Sequence, residues 1–134
     1  MAEKQKRKRL FLALWPDDIT RKKLADVQKM LGKIDRLKTA KPVAVANLHI
    51  TTHFLGAVTD EVHSQLEALL SEVKAQSCTL VIDRWGYFPR AKVIWLGADL
   101  PAALNDLVEQ TQSCIQQCID GYEQKRFVPH VTLF

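Results

Sequence analysis

One arrangement of elements occurs twice along this chain, and the repetition restricts the fold more than any other feature. An apolar run suited to a buried strand, residues 9–15 (RLFLALW), is followed by a helix opened by acidic residues and then by a strand with His49-Ile50-Thr51. A second run, residues 92–98 (KVIWLGA), is followed by a helix opened near Asp99 and then by a strand with His130-Val131-Thr132. No linker separates the halves, which indicates one domain with an internal duplication rather than a solenoid. Similar halves pack around a pseudo-two-fold axis, and such an axis sets the two H-x-T tripeptides opposite each other.

The remaining elements follow from periodicity and punctuation. Pro16-Asp17-Asp18 starts a helix whose apolar stripe is Ile19, Leu24, Val27, Leu31 and Ile34, with Gly32 marking its end. Residues 33–46 form a basic loop, and 47–55 (NLHITTHFL) a strand. Thr59-Asp60-Glu61 opens a helix with Val62, Leu66, Leu69, Leu70 and Val73 on one stripe. Residues 78–85 and 92–98 form a hairpin turned at Pro89-Arg90-Ala91. The third helix starts near Pro101, carries Leu104, Leu107, Val108, Thr111, Ile115 and Cys118, and stops at Gly121. The last strand is 127–134 (FVPHVTLF). The predicted order is β-α-β-α-β-β-α-β.

Composition removes several classes. Apolar residues are 47% and charged residues 25% of the 134, enough for a core, so disorder is excluded as the main state. No apolar run approaches the roughly 20 residues that span a bilayer, and the one after the basic start is too short for a signal peptide. A cytoplasmic location and no membrane partner are expected. Cys78, Cys114 and Cys118 are odd in number and lack a C-x-x-C, so they form no disulfide framework. Cys114 and Cys118, four apart on a helix with no matching pair elsewhere, read as small half-buried side chains rather than metal ligands.

The formal charge of +4 is uneven. Residues 1–9 carry a net +4 as a basic arm, residues 21–41 a net +6, and residues 42–123 a net −6. A basic arm with a basic helix and loop suits a polyanion. The alternative is a solubilising tail and a solvated helix face.

Alternation along a strand puts residues i and i+2 on one face, so His49 with Thr51, and His130 with Thr132, each present an imidazole and a hydroxyl together. Two imidazoles can serve as one base and one acid near neutral pH. Hydroxyls donate hydrogen bonds to anionic oxygens. Two of each around one site fit in-line displacement at a phosphodiester, with no metal or cofactor required. A single H-x-T carries little information; two copies at equivalent places of a repeated unit carry much more.

The segments Asn47-Leu48-His49-Ile50-Thr51-Thr52-His53-Phe54-Leu55-Gly56 and Phe127-Val128-Pro129-His130-Val131-Thr132-Leu133 resemble the two signatures of the 2H phosphoesterase superfamily. Phe11-Leu12-Ala13-Leu14, with a Pro-Asp helix start after it, resembles the first strand of the superfamily's bacterial LigT branch, the RNA 2′,3′-cyclic phosphodiesterases, also called 2′-5′ RNA ligases. The resemblance covers the whole chain in order. It implies an α+β fold: duplicated β-α-β units form two antiparallel-sheet lobes around a V-shaped cleft, helices outside. It implies opening of a terminal 2′,3′-cyclic phosphate on RNA ends or tRNA halves to a 2′-phosphate, in some members with reversible 2′-5′ ligation; separately, a monomer is expected. It assigns the acid for the leaving 3′-oxygen to His49 and the base for water to His130, with Thr51 and Thr132 on the phosphate.

Two departures carry further expectations. Relatives continue for several dozen residues past the second signature, with an arginine there that binds phosphate; a chain stopping at Phe134 then lacks that part, and Arg126 is the candidate substitute, or a plain surface arginine. His53 stands where relatives have a small or apolar residue. Alternation puts it on the face of His49 and Thr51, as a substrate contact or a rim residue; H-x-x-x-H in a strand is not the helical zinc pattern. His63 falls in the first turns of a helix and is expected to face solvent. A competing reading keeps the fold but makes it a non-catalytic RNA-binding module. Two intact titratable imidazoles argue against it, because binding alone does not need them.

Overall fold

Side-chain caps set two of the helix starts. The Asp17 carboxylate accepts the Thr20 N–H at 2.7 Å, and that bond holds its pKa below the ordinary carboxylate value. The Thr59 hydroxyl accepts from the Val62 N–H at 3.2 Å in the same way. The computed structural model describes residues 6–123 and 126–134. Its elements are β1 (Arg7–Leu14), α1 (Asp18–Gly32), β2 (Ile50–Thr59), α2 (Asp60–Leu70), β3 (Ile82–Phe88), β4 (Val93–Ala98), α3 (Ala102–Cys118) and β5 (His130–Thr132). The order is the predicted one, and the class is α+β. One sheet pairs β1 with β2; the other is antiparallel, in the order β3-β4-β5.

Several boundaries move for physical reasons. β3 starts at Ile82, not at Cys78, because β4 ends at Ala98 opposite Ile82 and offers nothing to pair with earlier residues. Val81 and Cys78 are accordingly exposed. β2 starts after His49 and runs on to Thr59 through Gly56, whose φ of 70° is open to glycine. Of the basic arm, residues 1–5 lie outside the described residues, while Arg7 to Arg9 are part of β1 rather than a tail.

The two compact units of the fold are not the two sequence halves. One comprises Met1–Leu12, Thr52–Leu80 and Leu100–Phe127; the other comprises Ala13–Thr51, Val81–Asp99 and Val128–Phe134. The first has a core of Leu55, Val58, Leu66 and Ile115, with Cys114 and Cys118 packed against it as half-buried free thiols. In the second, Leu24, Leu48, Ile50, Ala98, Val131 and Leu133 are buried. Both H-x-T tripeptides belong to this second unit.

The α1 stripe is only partly right. Leu24 is buried, but Ile19 is exposed and so is Ile34, just past the helix. The unexpected buried residue is Gln28, whose Nε2 donates to the Val43 carbonyl at 2.8 Å and the Leu133 carbonyl at 2.9 Å. It ties α1 to the chain entering the first tripeptide and to the residue after Thr132. Gln28→Leu keeps the bulk and removes both donors, so it should lower unfolding free energy by about 1–3 kcal/mol. Urea denaturation of the variant against the parent measures this; an unchanged midpoint would show that the two bonds contribute nothing.

Candidate active site

The first tripeptide follows a single 3-10 turn, Val45–Asn47. Leu48 and Ile50 go into the core, at 0% and 9% exposure, which turns His49 and Thr51 to the other side, both half-buried. The His49 Nδ1–H donates to the Asn47 carbonyl at 2.5 Å. That bond makes Nε2 the unprotonated nitrogen of the neutral ring, and the Thr51 hydroxyl donates to it at 2.9 Å. Trp15, just past β1, lies against the imidazole with ring centres 4.8 Å apart.

The second tripeptide repeats this logic in β5. Pro129, Val131 and Leu133 are buried, so His130 and Thr132 share the opposite, half-buried side. The His130 Nδ1–H donates to the carbonyl of Val128 at 2.7 Å. Each histidine is therefore tethered by Nδ1 to the carbonyl two residues before it. In β5 the register sets His130 beside Gly97 and Thr132 beside Trp95. Phe88 meets the His130 ring edge-on at 5.3 Å, and Trp95 lies 6.3 Å from it.

His53 requires a correction. It does not share the exposed side of His49 and Thr51; it is 2% exposed, in the other unit, near the backbone of Val108. The alternation breaks at Thr51-Thr52: Leu48 and Ile50 are buried before it, His53 and Leu55 after it. β2 passes there from one unit to the other, so the residues facing a core change parity. A side chain this enclosed is a core histidine, not a substrate contact. Its Nδ1 lies 2.9 Å from the Thr52 hydroxyl, and its Nε2 has no hydrogen-bond partner among the described residues. Burial lowers its pKa from the ordinary 6.5, against a smaller opposing effect of the Val108 backbone. The folded state thus binds this proton less readily than the unfolded state. His53 contributes stability that is present above about pH 6.5 and lost as pH falls through that value toward the depressed one. Unfolding midpoints of the parent should drop between neutral pH and pH 5 by more than those of His53→Gln. Equal drops would remove His53 from the acid sensitivity.

Two further expected residues fall in the unit that lacks the tripeptides. Arg126 is exposed and lies in the Leu100–Phe127 part of that unit. His63 is half-buried rather than fully solvent-facing and lies 2.9 Å from Glu67 on α2. No group of three or more potential metal ligands occurs among the described residues. No helix among them is long and apolar enough to cross a membrane. Sequence reasoning missed Trp15, Phe88, Trp95 and the strand glycines Gly86 and Gly97. An isolated glycine inside a strand pattern signals close approach of another group, so the glycines were the available clue.

A family model described as LigT like Phosphoesterase matches residues 14–95. The chain is 32% identical over 129 residues to an RNA 2′,3′-cyclic phosphodiesterase of Archaeoglobus fulgidus, a match covering 93% of this chain and 70% of the relative. The chain belongs to the LigT-like phosphoesterase family. The Escherichia coli enzyme of the same description is 33% identical over 97 residues, covering 72% of this chain and 55% of that protein. The crystal structure of E. coli LigT in apo form superposes with a TM-score of 0.83 at 29% identity, over 96% of this chain and 72% of that one. The same protein complexed with 3′-AMP gives 0.80. The LigT-like fold, two antiparallel sheets with helices, is thereby shared, and this chain spans only part of its relatives' length.

Proposed function

We propose that this LigT-like chain opens the terminal 2′,3′-cyclic phosphate of RNA to a 2′-phosphate by acid–base catalysis between His49 and His130. The observation that carries the reading is the matched pair of tethers. Both imidazoles belong to one unit, and each has Nδ1 tied to a carbonyl, which leaves Nε2 as the proton-transfer atom. The descriptions of the relatives as RNA 2′,3′-cyclic phosphodiesterases support the substrate class.

In the step, one neutral Nε2 takes a proton from water as its oxygen attacks phosphorus. The other histidine, protonated, gives its proton to the 3′-oxygen as the P–O3′ bond breaks, and the 2′-ester remains. We assign the base to His130 and the acid to His49, as in the family. The Thr51 and Thr132 hydroxyls hold the non-bridging oxygens, where charge builds up. If an RNA 5′-hydroxyl replaces water, the same proton transfers join two ends through a 2′-5′ linkage, and the reverse cleaves it.

The test is turnover of a nucleoside 2′,3′-cyclic phosphate, resolved by chromatography into 2′- and 3′-phosphate products. The 2′-phosphate alone is expected, at the same rate with EDTA present. Binding of RNA without turnover would favour the non-catalytic module instead, and restoration of activity by zinc after EDTA would overturn the metal-free scheme.

A further inference from the structure

We infer that Trp95 is a positioning residue for His130, seated on a pedestal of two glycines and clamped by Phe88; the inference rests on the reading of His130 as a proton-transfer group. In the antiparallel sheet, directly paired residues share a face. One row across the strands is Gly86, Trp95, Thr132; the next is Arg84, Gly97, His130. Trp95 thus stands on the central strand between two glycines, on the face that carries both functional side chains of β5.

The indole lies down over those glycines. A Cβ built on Gly86 would overlap the six-membered ring, 2.6 Å from Cε2. A Cβ on Gly97 would meet its other edge, 3.1 Å from Cε3, and would also lie 3.2 Å from the Pro129 carbonyl beside His130. Glycine weakens a strand interior, so two of them under one ring need a reason, and the flat seat of the indole is one. Phe88 stacks on Trp95 with ring centres 5.1 Å apart and planes 26° apart.

His130 fits the corner that these two rings leave. Its ring is edge-on to Phe88 at 86° and tilted 66° to Trp95, within the range of favourable aromatic contacts. With Nδ1 bonded to the Val128 carbonyl and two aromatic walls beside it, the ring has one orientation, and Nε2 has one direction. The Trp95 N–H is buried with no hydrogen-bond partner among the described residues. A smaller apolar side chain would avoid that unfavourable burial. It would not span both glycines and still reach His130, and the width of the indole is what the position requires.

The test compares Trp95→Leu, Trp95→Phe and Phe88→Leu in the full chain, each first shown folded by circular dichroism. Trp95→Leu should lower kcat on a nucleoside 2′,3′-cyclic phosphate by about 10- to 100-fold, the scale of a misplaced catalytic group, with KM within about twofold. Trp95→Phe should recover part of that loss, and Phe88→Leu should fall between. In NMR spectra the His130 Nδ1–H signal, protected by its carbonyl bond, should be lost to solvent exchange in Trp95→Leu. A folded Trp95→Leu chain with unchanged kcat and a protected Nδ1–H would overturn the inference. Were the parent to show no turnover at all, the functional reading would fail. The Nδ1–H signal would still decide whether the pedestal orients the ring.

Discussion

His49→Ala and His130→Ala should each lower kcat on a nucleoside 2′,3′-cyclic phosphate by about 10²- to 10⁴-fold, the contribution of one general acid or base. Neither substitution should unfold the chain. The core on either side of His49 is made by Leu48 and Ile50, and beside His130 by Val131 and Leu133, all at most 9% exposed. The double variant should be little worse than either single one, because one missing partner already breaks the proton circuit. Thr51→Val and Thr132→Val should lose less, since each removes one hydrogen bond and leaves both proton carriers. Thr51 is the more sensitive of the two, for its hydroxyl also bonds His49 Nε2. Steady-state kinetics on the four single variants, with circular dichroism for folding, checks the ranking. Near-normal kcat in either histidine variant would remove that residue from the chemistry, and equal losses in all four would contradict the division of roles.

The tripeptides were legible because strand alternation is a local rule and both obey it: buried neighbours at i−1 and i+1 leave imidazole and hydroxyl on the other side. The α3 stripe was legible for the same reason at helical period, with Leu104, Val108, Thr111 and Ile115 all buried. The misreadings occur where tertiary structure overrides a local period. His53 follows from His49 by alternation only if one core lies behind the whole strand, and β2 serves two. Gln28 is polar, and no periodicity rule buries it; its place depends on two carbonyls, one of them 105 residues away. Trp95 read as one more apolar strand residue. Its significance needed the register that sets Gly86 beside it and His130 one row on.

Charge leads to the second large effect. The unit with both tripeptides holds eleven basic and six acidic residues, a net +5, while the other unit sums to −1. Much of the positive charge lies on α1 and just past it, where Lys22, Lys23, Lys29 and Lys33 are exposed. Arg21 and Lys38 are partly neutralised by Asp18 and Asp35, so the four lysines are the better probe. If they contact RNA phosphates, they release counterions on binding, and each contributes about 0.7 to the slope of log affinity against log salt for a single strand. Replacing all four with glutamine should flatten that slope by up to about 3. Between about 50 and 200 mM salt, the parent should then lose up to roughly 50-fold more affinity for an RNA oligomer than the variant does. Turnover of a mononucleoside 2′,3′-cyclic phosphate should stay unchanged, because on the proposed reading its single phosphate binds at the tripeptides and not at the lysines. Fluorescence anisotropy of a labelled oligomer across a salt series, beside the mononucleotide assay, separates the outcomes. An unchanged slope would make the lysines a solvated helix face, and a fall in mononucleotide turnover would tie them to the fold of α1 instead of to RNA.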